Sequence, residues 1–117
     1  MRFKILLILI AYKFKKAASN NKNFEKFLLG HECRIVIKTN DGKVGKRFVF
    51  QNGNFSADTI LDEYEAAMVW SDAKIGFNSM KKGEEGIKRA LENHLVGIEG
   101  SIHSFSWFAA VLNFVME

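Results

Sequence analysis

The sequence predicts a single α/β domain of the α+β type, built from five strands and about five helices. Three observations support this fold class. The chain has 117 residues, a length that suits one domain. Hydrophobic residues make up 48% of the chain, which is enough for a packed core. Apolar residues have helical spacing towards both ends of the chain. Between these parts lies a central region of strand-like runs separated by turn signals. We therefore expect one domain over residues 1–117.

Two helices are predicted within residues 1–30. Residues 2–18 contain no Gly or Pro, are apolar in the middle and are basic towards the C-terminal end, where lysines suit the helix dipole. After an Asn-containing break, residues 22–29 have helical apolar spacing and stop before Gly30.

The apolar run at residues 5–12 is not typical of a membrane span or a secretory leader. Eight residues are too few to cross a bilayer, which takes about 20. A leader continues into small neutral residues, whereas this run continues into Lys-Phe-Lys-Lys at 13–16. We expect the run to belong to the folded domain.

Residues 31–70 are predicted to form four strands, the first three of them as an antiparallel meander. β-Branched or alternating runs indicate the strands, and Asn-Asp-Gly at 40–42 and Asn-Gly at 52–53 indicate tight turns. The predicted strands cover residues 33–39, 46–51, 54–60 and 65–70.

Residues 71–117 return to helical spacing, with one further strand. Ser71 is predicted to cap the first of these helices, and Ser101 or Ser104 the last. The predicted elements are a helix over 72–81, a helix from 84 to about 94, a strand at 96–99 and a final helix ending near 115.

The final helix is apolar on nearly all sides. One stripe carries Phe105, Phe108, Leu112 and Met116, and most of the remaining surface is apolar too. A surface helix normally has a polar face. This helix is therefore buried on both sides, covers a cavity on one side and core on the other, or packs against another subunit.

Charge is unevenly divided along the chain. Residues 1–47 carry 12 Lys or Arg and 3 Asp or Glu, a net charge of +9, whereas residues 48–117 carry 5 and 10, a net charge of −5. Such an asymmetry is typical of a basic surface that binds an anionic membrane, nucleic acid or an acidic partner. The alternative is that the charges only form the solvated faces of two elements packed together. Lys13, Lys15 and Lys16 are the predicted contacts to a membrane or an anionic headgroup. Nucleic-acid binding is not expected, because no recognition motif accompanies them.

Catalytic, metal and cofactor sites are not expected. His31, His94 and His103 lack metal-ligand spacing, and neither a Gly-x-Ser-x-Gly elbow nor a phosphate-binding loop occurs. The single cysteine, Cys33, excludes an internal disulfide and favours a reducing, cytoplasmic location. His31 and Cys33 can share one face of a strand, so a nucleophile–base pair is the alternative to a buried strand cysteine.

Four acidic residues cluster around the third and fourth strands. Their spacing matches no calcium loop, so a solvated acidic loop is favoured over a cation site. The cluster consists of Asp58, Asp62, Glu63 and Glu65.

The region after the fourth strand has a recognisable order. Trp70–Gly83 ends a strand and opens a helix, and Ile87–Leu91 and Val96–Gly100 then lead into the terminal apolar helix. This order resembles the sterol carrier protein type 2 family, and Ile35–Gly53 resembles that family's opening meander. The resemblance covers about residues 31–115.

The resemblance implies a five-stranded, largely antiparallel sheet with helices mostly on one face, enclosing an apolar cavity. It implies a protein that binds or transfers sterols, fatty acids or acyl-CoA and has no catalytic residues, so we expect no enzyme. The ligand-binding residues that it implies by position are Phe77, Met80, Ile87, Leu91, Phe105, Phe108, Leu112 and Met116.

Two other functions stay open. A structural or interaction domain would have a filled core and would form a homodimer through the apolar helices at 2–18 and 101–116. An enzyme would need a polar cluster in the pocket, for which the sequence offers only Cys33 and His103.

Overall fold

The computed structural model describes residues 2–20 and 22–116, and within them it contains five helices and one five-stranded sheet. The helices are α1 (Arg2–Asn20), α2 (Lys22–Leu28), α3 (Ala73–Met80), α4 (Glu84–Glu92) and α5 (Ile102–Met116). The strands are β1 (Cys33–Thr39), β2 (Gly45–Gln51), β3 (Asn54–Asp58), β4 (Ala66–Trp70) and β5 (Val96–Gly100). The predicted α+β class and the predicted number of elements are confirmed.

The strand order is β3-β2-β1-β4-β5. The predicted meander of β1, β2 and β3 is present, and its second turn has Asn52 and Gly53 at φ 52° and 80°, as a tight Asn-Gly hairpin requires. One of the four pairings is parallel. Strand β4 runs beside β1 in the same direction, with Ile35 opposite Ala66. The sheet is therefore mixed, although the prediction of a largely antiparallel sheet holds for the other three pairings.

The parallel pairing depends on a connection that crosses one face of the sheet. Between β3 and β4 the chain returns over β2 and β1, where the Arg47 Nη1 donates to the Glu63 carbonyl at 3.1 Å and the Lys38 Nζ donates to the Leu61 carbonyl at 3.5 Å. Strand side chains thus hold the crossing segment against the face that carries no helix.

Several element ends differ from the predictions for local reasons. Strand β3 stops at Asp58, because that carboxylate accepts the Ile60 N–H at 3.0 Å and turns the chain. Asp72 rather than Ser71 caps α3, accepting the Ile75 N–H at 2.8 Å. Helix α4 ends at Glu92, two residues early.

The first and last helices begin and end close to their predicted positions. Ser101, one of the two predicted caps of α5, accepts the Ser104 N–H at 3.1 Å. The sequence predicted lysines at the C-terminal end of α1, where they would suit the helix dipole. That prediction is wrong, because the helix continues to Asn20 and its last turn contains no basic residue. The predicted break includes Asn21, which lies outside the described residues.

The core lies between one face of the sheet and the helices. Inward side chains of alternate strand residues pack there against buried residues of all five helices. Phe14 of α1 lies at its centre, with ring centroids 5.9 Å from Phe48, 5.3 Å from Phe50 and 5.9 Å from Phe108. The predicted placement of the helices on one face is confirmed. Within the described residues, no helix has the length and apolar character needed to cross a membrane.

Candidate functional site

A pocket of about 160 Å³ lies between α4 and α5, above β4. Ile87 and Leu91 form one wall, because the i, i+4 spacing places them on one side of α4. Phe105, Leu112 and Met116 form the opposite wall on α5. The apolar residues of the two neighbouring helices therefore line the pocket from both sides.

Six of the eight residues predicted to bind ligand lie together around this pocket. They come from the end of α3, from α4 and from α5. They are Met80, Ile87, Leu91, Phe105, Leu112 and Met116.

The other two predicted residues lie elsewhere. Phe108 is 0% exposed and packs against Phe14 and Phe48 in the filled core, because it projects from the sheet side of the broad apolar stripe of α5. Phe77 faces the start of α1, where the guanidinium of Arg2 lies 5.9 Å from its ring centroid. The ammonium of Lys81, at the end of α3, lies 5.2 Å from the same centroid. Neither residue lines the α4–α5 pocket.

Sequence reasoning missed Met68 and Ala109, which also line the pocket. Met68 lies on β4 between the inward residues Ala66 and Trp70, so strict alternation along the strand is the signal that identifies it. Ala109 lies one turn from Phe105 and Leu112 and is small, which leaves room for the space beside it.

Three methionines line the pocket: Met68, Met80 and Met116. Methionine is unbranched and has three rotatable bonds, so it repacks around guests of different shape at low cost. The pocket wall can therefore adapt to its contents more readily than one built from β-branched residues.

The polar groups of the pocket lie at its rim. Glu84 and Lys88 are exposed on α4, one turn apart, and Asn113 is half-buried on α5. An apolar interior with a few polar groups at one side is typical of sites that take amphipathic small molecules.

The lysines predicted to contact anionic groups do not line the pocket. Lys15 and Lys16 are exposed on α1, and Lys13 is half-buried on the same helix. Any contact that they make with a membrane involves a separate surface.

The candidate nucleophile is buried, whereas the candidate base is exposed. Cys33 is buried in the core, and burial, followed by the charge of Glu65, raises the pKa of its thiol to about 11. The ring of His31 stacks on Trp107 with centroids 4.8 Å apart. A thiol with this pKa is protonated at neutral pH and is a poor nucleophile.

Two members of the predicted acidic cluster form ion pairs on the helix-free face of the sheet. Glu65 pairs with Arg34 and Asp58 with Arg47, each at 2.7 Å. Hydrogen bonds from these arginines lower the pKa of both carboxyl groups. Across residues 2–20 and 22–116, no group of His, Cys, Asp or Glu is suited to hold a metal ion.

Solved structures resemble this chain in shape, at low sequence identity. UbiJ-SCP2, a ubiquinone synthesis protein, has a TM-score of 0.60 and 10% identity, covering 94% of this chain and 98% of its own. The sec-alkylsulfatase Pisa1 from Pseudomonas sp. has a TM-score of 0.56 and 14% identity, covering 76% of this chain and 14% of the sulfatase. TT1886 from Thermus thermophilus, a candidate sterol carrier protein, has a TM-score of 0.50 and 16% identity, covering 92% of this chain and 84% of its own.

The chain has the sterol carrier protein type 2 fold. The resemblance predicted from the sequence is thereby confirmed at the level of fold, over nearly the whole chain. No protein-family model and no curated protein sequence matches the chain. At these identities the likeness concerns architecture, so the ligand has to be inferred from the residues of the pocket.

Proposed function

We propose that this domain binds an apolar lipid, such as a fatty acid, an acyl-CoA or a sterol-like molecule, in the α4–α5 pocket and carries it without chemical change. The observation that carries the proposal is a space of about 160 Å³ lined mainly by apolar side chains, three of them methionines. Burial of a ligand's apolar surface drives the binding, at about 25 cal/mol per Å².

The size of the pocket favours a flexible chain over a rigid ring system. A protein cavity of about 150 Å³ takes one benzene ring, so this pocket, at about 160 Å³, accommodates a short segment of an acyl chain. A fused-ring sterol requires α4 and α5 to move apart. Apolar walls distinguish chain lengths weakly, so selectivity among acyl chains is low.

The rim of the pocket suits a ligand with a polar or acidic head. A chain inserted between Leu91 and Met116 leaves its head close to the exposed rim, where Lys88 supplies a cation and Asn113 an amide, beside the carboxylate of Glu84. A fatty-acid carboxylate is the simplest head that fits this chemistry.

The structural neighbours are consistent with a lipid ligand. One takes part in ubiquinone synthesis, one is a sec-alkylsulfatase in which the matching region is a small part of the chain, and one is a candidate sterol carrier.

The proposal includes no catalytic step. The pocket is lined by methionine, leucine, isoleucine and phenylalanine, and its polar side chains lie at the rim. The buried thiol of Cys33, with its raised pKa, is suited to packing and not to nucleophilic attack.

Native mass spectrometry of protein purified from a heterologous host tests the proposal. We expect a co-purifying lipid, and an increase of several degrees in the melting temperature when a saturating fatty acid is added, because a ligand that binds only the folded state stabilises it. A protein that carries no lipid and shows no change in melting temperature with fatty acid, acyl-CoA or sterol contradicts the proposal.

A further inference from the structure

Strand β5 lies at one edge of the sheet, and residues 2–20 and 22–116 supply no strand beside its outer side. In an antiparallel pair, residues that bond to the neighbouring strand alternate with residues whose N–H and C=O groups point away from it. The Ser71 N–H donates to the Leu95 carbonyl at 3.0 Å, so the odd-numbered residues from Leu95 onward face β4. The backbone groups of Val96 and Ile98 therefore point to the outer edge of the sheet.

This outer edge is accessible. Gly97 and Glu99 are exposed, Ile98 is half-buried, and a groove of about 430 Å³ runs along the strand and is lined by residues 94–99. The strand contains neither Pro nor Lys, and its register with β4 continues from Val96 to Gly100 without a bulge. Three devices that commonly block an edge strand are thus missing, and such an edge is a template for another strand.

Gly97, at the centre of β5, is not required by the fold of its own chain. Of the nine glycines, five have positive φ values and three others leave too little room for a Cβ atom. Gly97 belongs to neither group, because a Cβ atom built there meets no atom of the described residues within 4 Å. Glycine weakens a strand, and where it occurs it often marks the close approach of another backbone.

We propose that β5 pairs with β5 of a second copy of the chain, antiparallel and about a two-fold axis at Gly97, so that two sheets join into one. In this register Val96 of each copy lies opposite Ile98 of the other, and the two residues exchange both of their main-chain hydrogen bonds. Gly97 faces Gly97 of the second copy as a non-hydrogen-bonded pair, with Cα atoms about 4.5 Å apart. The edge is self-complementary, as an isologous interface requires.

Apolar side chains match across this axis on the helix side of the sheet. Val96 and Ile98 both point towards the core, so an apolar side chain lies opposite an apolar one. The antiparallel direction also places the start of α5 in one copy beside the end of α4 in the other. Ile102, which is 66% exposed, and Leu91, which is 36% exposed, lie at these two ends. Their burial adds apolar area to the main-chain hydrogen bonds.

The charged side chain of β5 does not oppose the pairing. The Glu99 carboxylate accepts the Tyr64 hydroxyl at 2.7 Å and lies 4.0 Å from the Lys38 Nζ of the same chain. About an axis at Gly97, Glu99 lies opposite Leu95 of the second copy and not opposite the other Glu99. The negative charge is therefore compensated within each chain and separated from its symmetry mate.

This pairing goes beyond the proposed lipid binding and does not rest on it, because Val96, Gly97 and Ile98 do not line the α4–α5 pocket. A dimer that binds no lipid, or a lipid-binding protein that stays monomeric, therefore identifies which of the two proposals fails.

Sedimentation equilibrium of the full chain, from low micromolar to submillimolar concentration, tests the pairing. We expect a reversible monomer–dimer equilibrium. Ile98→Pro removes an N–H that the second copy needs and that the chain's own sheet does not use, so it should weaken the dimer at least about tenfold. Ala57→Pro is the matched control, because the Ala57 N–H points outward from β3 at the opposite edge of the sheet.

Three outcomes of this measurement overturn the proposal. The first is a protein that stays monomeric at every concentration. The second is a dimer that Ile98→Pro leaves intact, which is the result expected if the apolar helices at 2–18 and 101–116 form the interface. The third is a series of larger assemblies that Ala57→Pro dissolves, since β5 would then pair with β3 of the next copy and the contact would not close.

Cross-linking keeps the proposal testable if Ile98→Pro does not fold. Gly97→Cys places two thiols across the axis at a Cα separation suited to a disulfide, and the open space at Gly97 accepts the new side chain. Under mild oxidation it should form a covalent dimer at least about tenfold faster than Ala57→Cys, because pairing raises the effective concentration of the thiols. The unchanged chain, whose single Cys33 is buried, should form none.

Circular dichroism melting of the two cysteine variants checks that both are folded, which we expect because positions 57 and 97 are exposed. Equal rates of cross-linking for the two folded variants would show that β5 does not meet itself and would overturn the proposal.

Discussion

The ring of Phe14 on α1 stacks on that of Phe108 on α5, with centroids 5.9 Å apart and planes 28° from parallel. This contact joins the first and last helices of the described chain over the sheet. The two sides of α5 have different surroundings. Phe108 faces the filled core, and Phe105 faces the α4–α5 pocket. One side of α5 therefore contributes to the stability of the domain, and the other side lines the proposed binding site.

The first prediction concerns this aromatic core. Phe14→Ala removes a ring that contacts several others and should lower the free energy of unfolding by about 3–5 kcal/mol. Tyr12→Ala, two residues away on the exposed face, should change it by less than about 0.5 kcal/mol. Urea denaturation of both variants measures the difference, and similar losses for the two would show that the burial pattern of α1 is wrong.

The second prediction concerns the space beside Ala109. Ala109→Leu places additional carbon atoms in the pocket and should weaken fatty-acid binding about tenfold, because it displaces roughly two methylene groups of the ligand. Ala110→Leu adds the same atoms on the exposed side of α5 and should have little effect. Displacement of a fluorescent fatty acid gives both affinities. Equal affinities for the two variants would place the ligand elsewhere.

The third prediction concerns the head of the ligand. Lys88→Gln should weaken the binding of a fatty acid by up to about fivefold, the range of an exposed ion pair. It should not change the binding of the matching fatty alcohol, which carries no charge. Arg89→Gln alters the next residue, which does not line the pocket, and is the control for net charge. Calorimetric titration with acid and alcohol compares them, and an equal loss for both ligands would show that Lys88 acts through something other than the carboxylate.

The fourth prediction concerns acid stability. Hydrogen bonds from Arg47 and Arg34 lower the pKa of Asp58 and Glu65 in the folded state. Their stabilisation is therefore present above the unfolded-state pKa values, about 4, and is lost as pH falls through the lower folded-state values. Asp58→Asn with Glu65→Gln should flatten the decline of unfolding free energy below about pH 5.

Denaturation at a series of pH values measures this slope. Asp62→Asn, at an exposed position in the same connection, should leave the slope close to that of the original protein. A double variant with an unchanged slope would mean that other groups cause the acid sensitivity.

Local sequence patterns predicted most of the secondary structure, because the determining interactions are local. The β-branched run Ile35–Ile37 and the Asn52-Gly53 turn specify a strand and a hairpin from neighbouring residues alone. The parallel pairing of β1 with β4 depends on where a distant segment returns to the sheet. No local pattern encodes that return, so the sequence alone did not predict it.

The candidate site was predictable to a similar degree. Periodicity correctly grouped Phe105, Leu112 and Met116 on one side of α5. It could not separate Phe108 from that group, since a broad apolar stripe does not specify how the helix is rotated over the sheet. Ala109 was not predicted to line the pocket, because the sequence criteria select large apolar side chains and alanine is small.

The most direct test of the central claim is a nuclear magnetic resonance titration with 13C-methyl-methionine protein and a fatty acid. The account predicts that the methyl signals of Met68, Met80 and Met116 shift together and saturate at one equivalent of ligand, because all three side chains line the pocket. In Ala109→Leu protein the same shifts should need about tenfold more ligand. Unchanged signals from the three methionines in the presence of bound fatty acid would contradict the claim that this pocket is the lipid site.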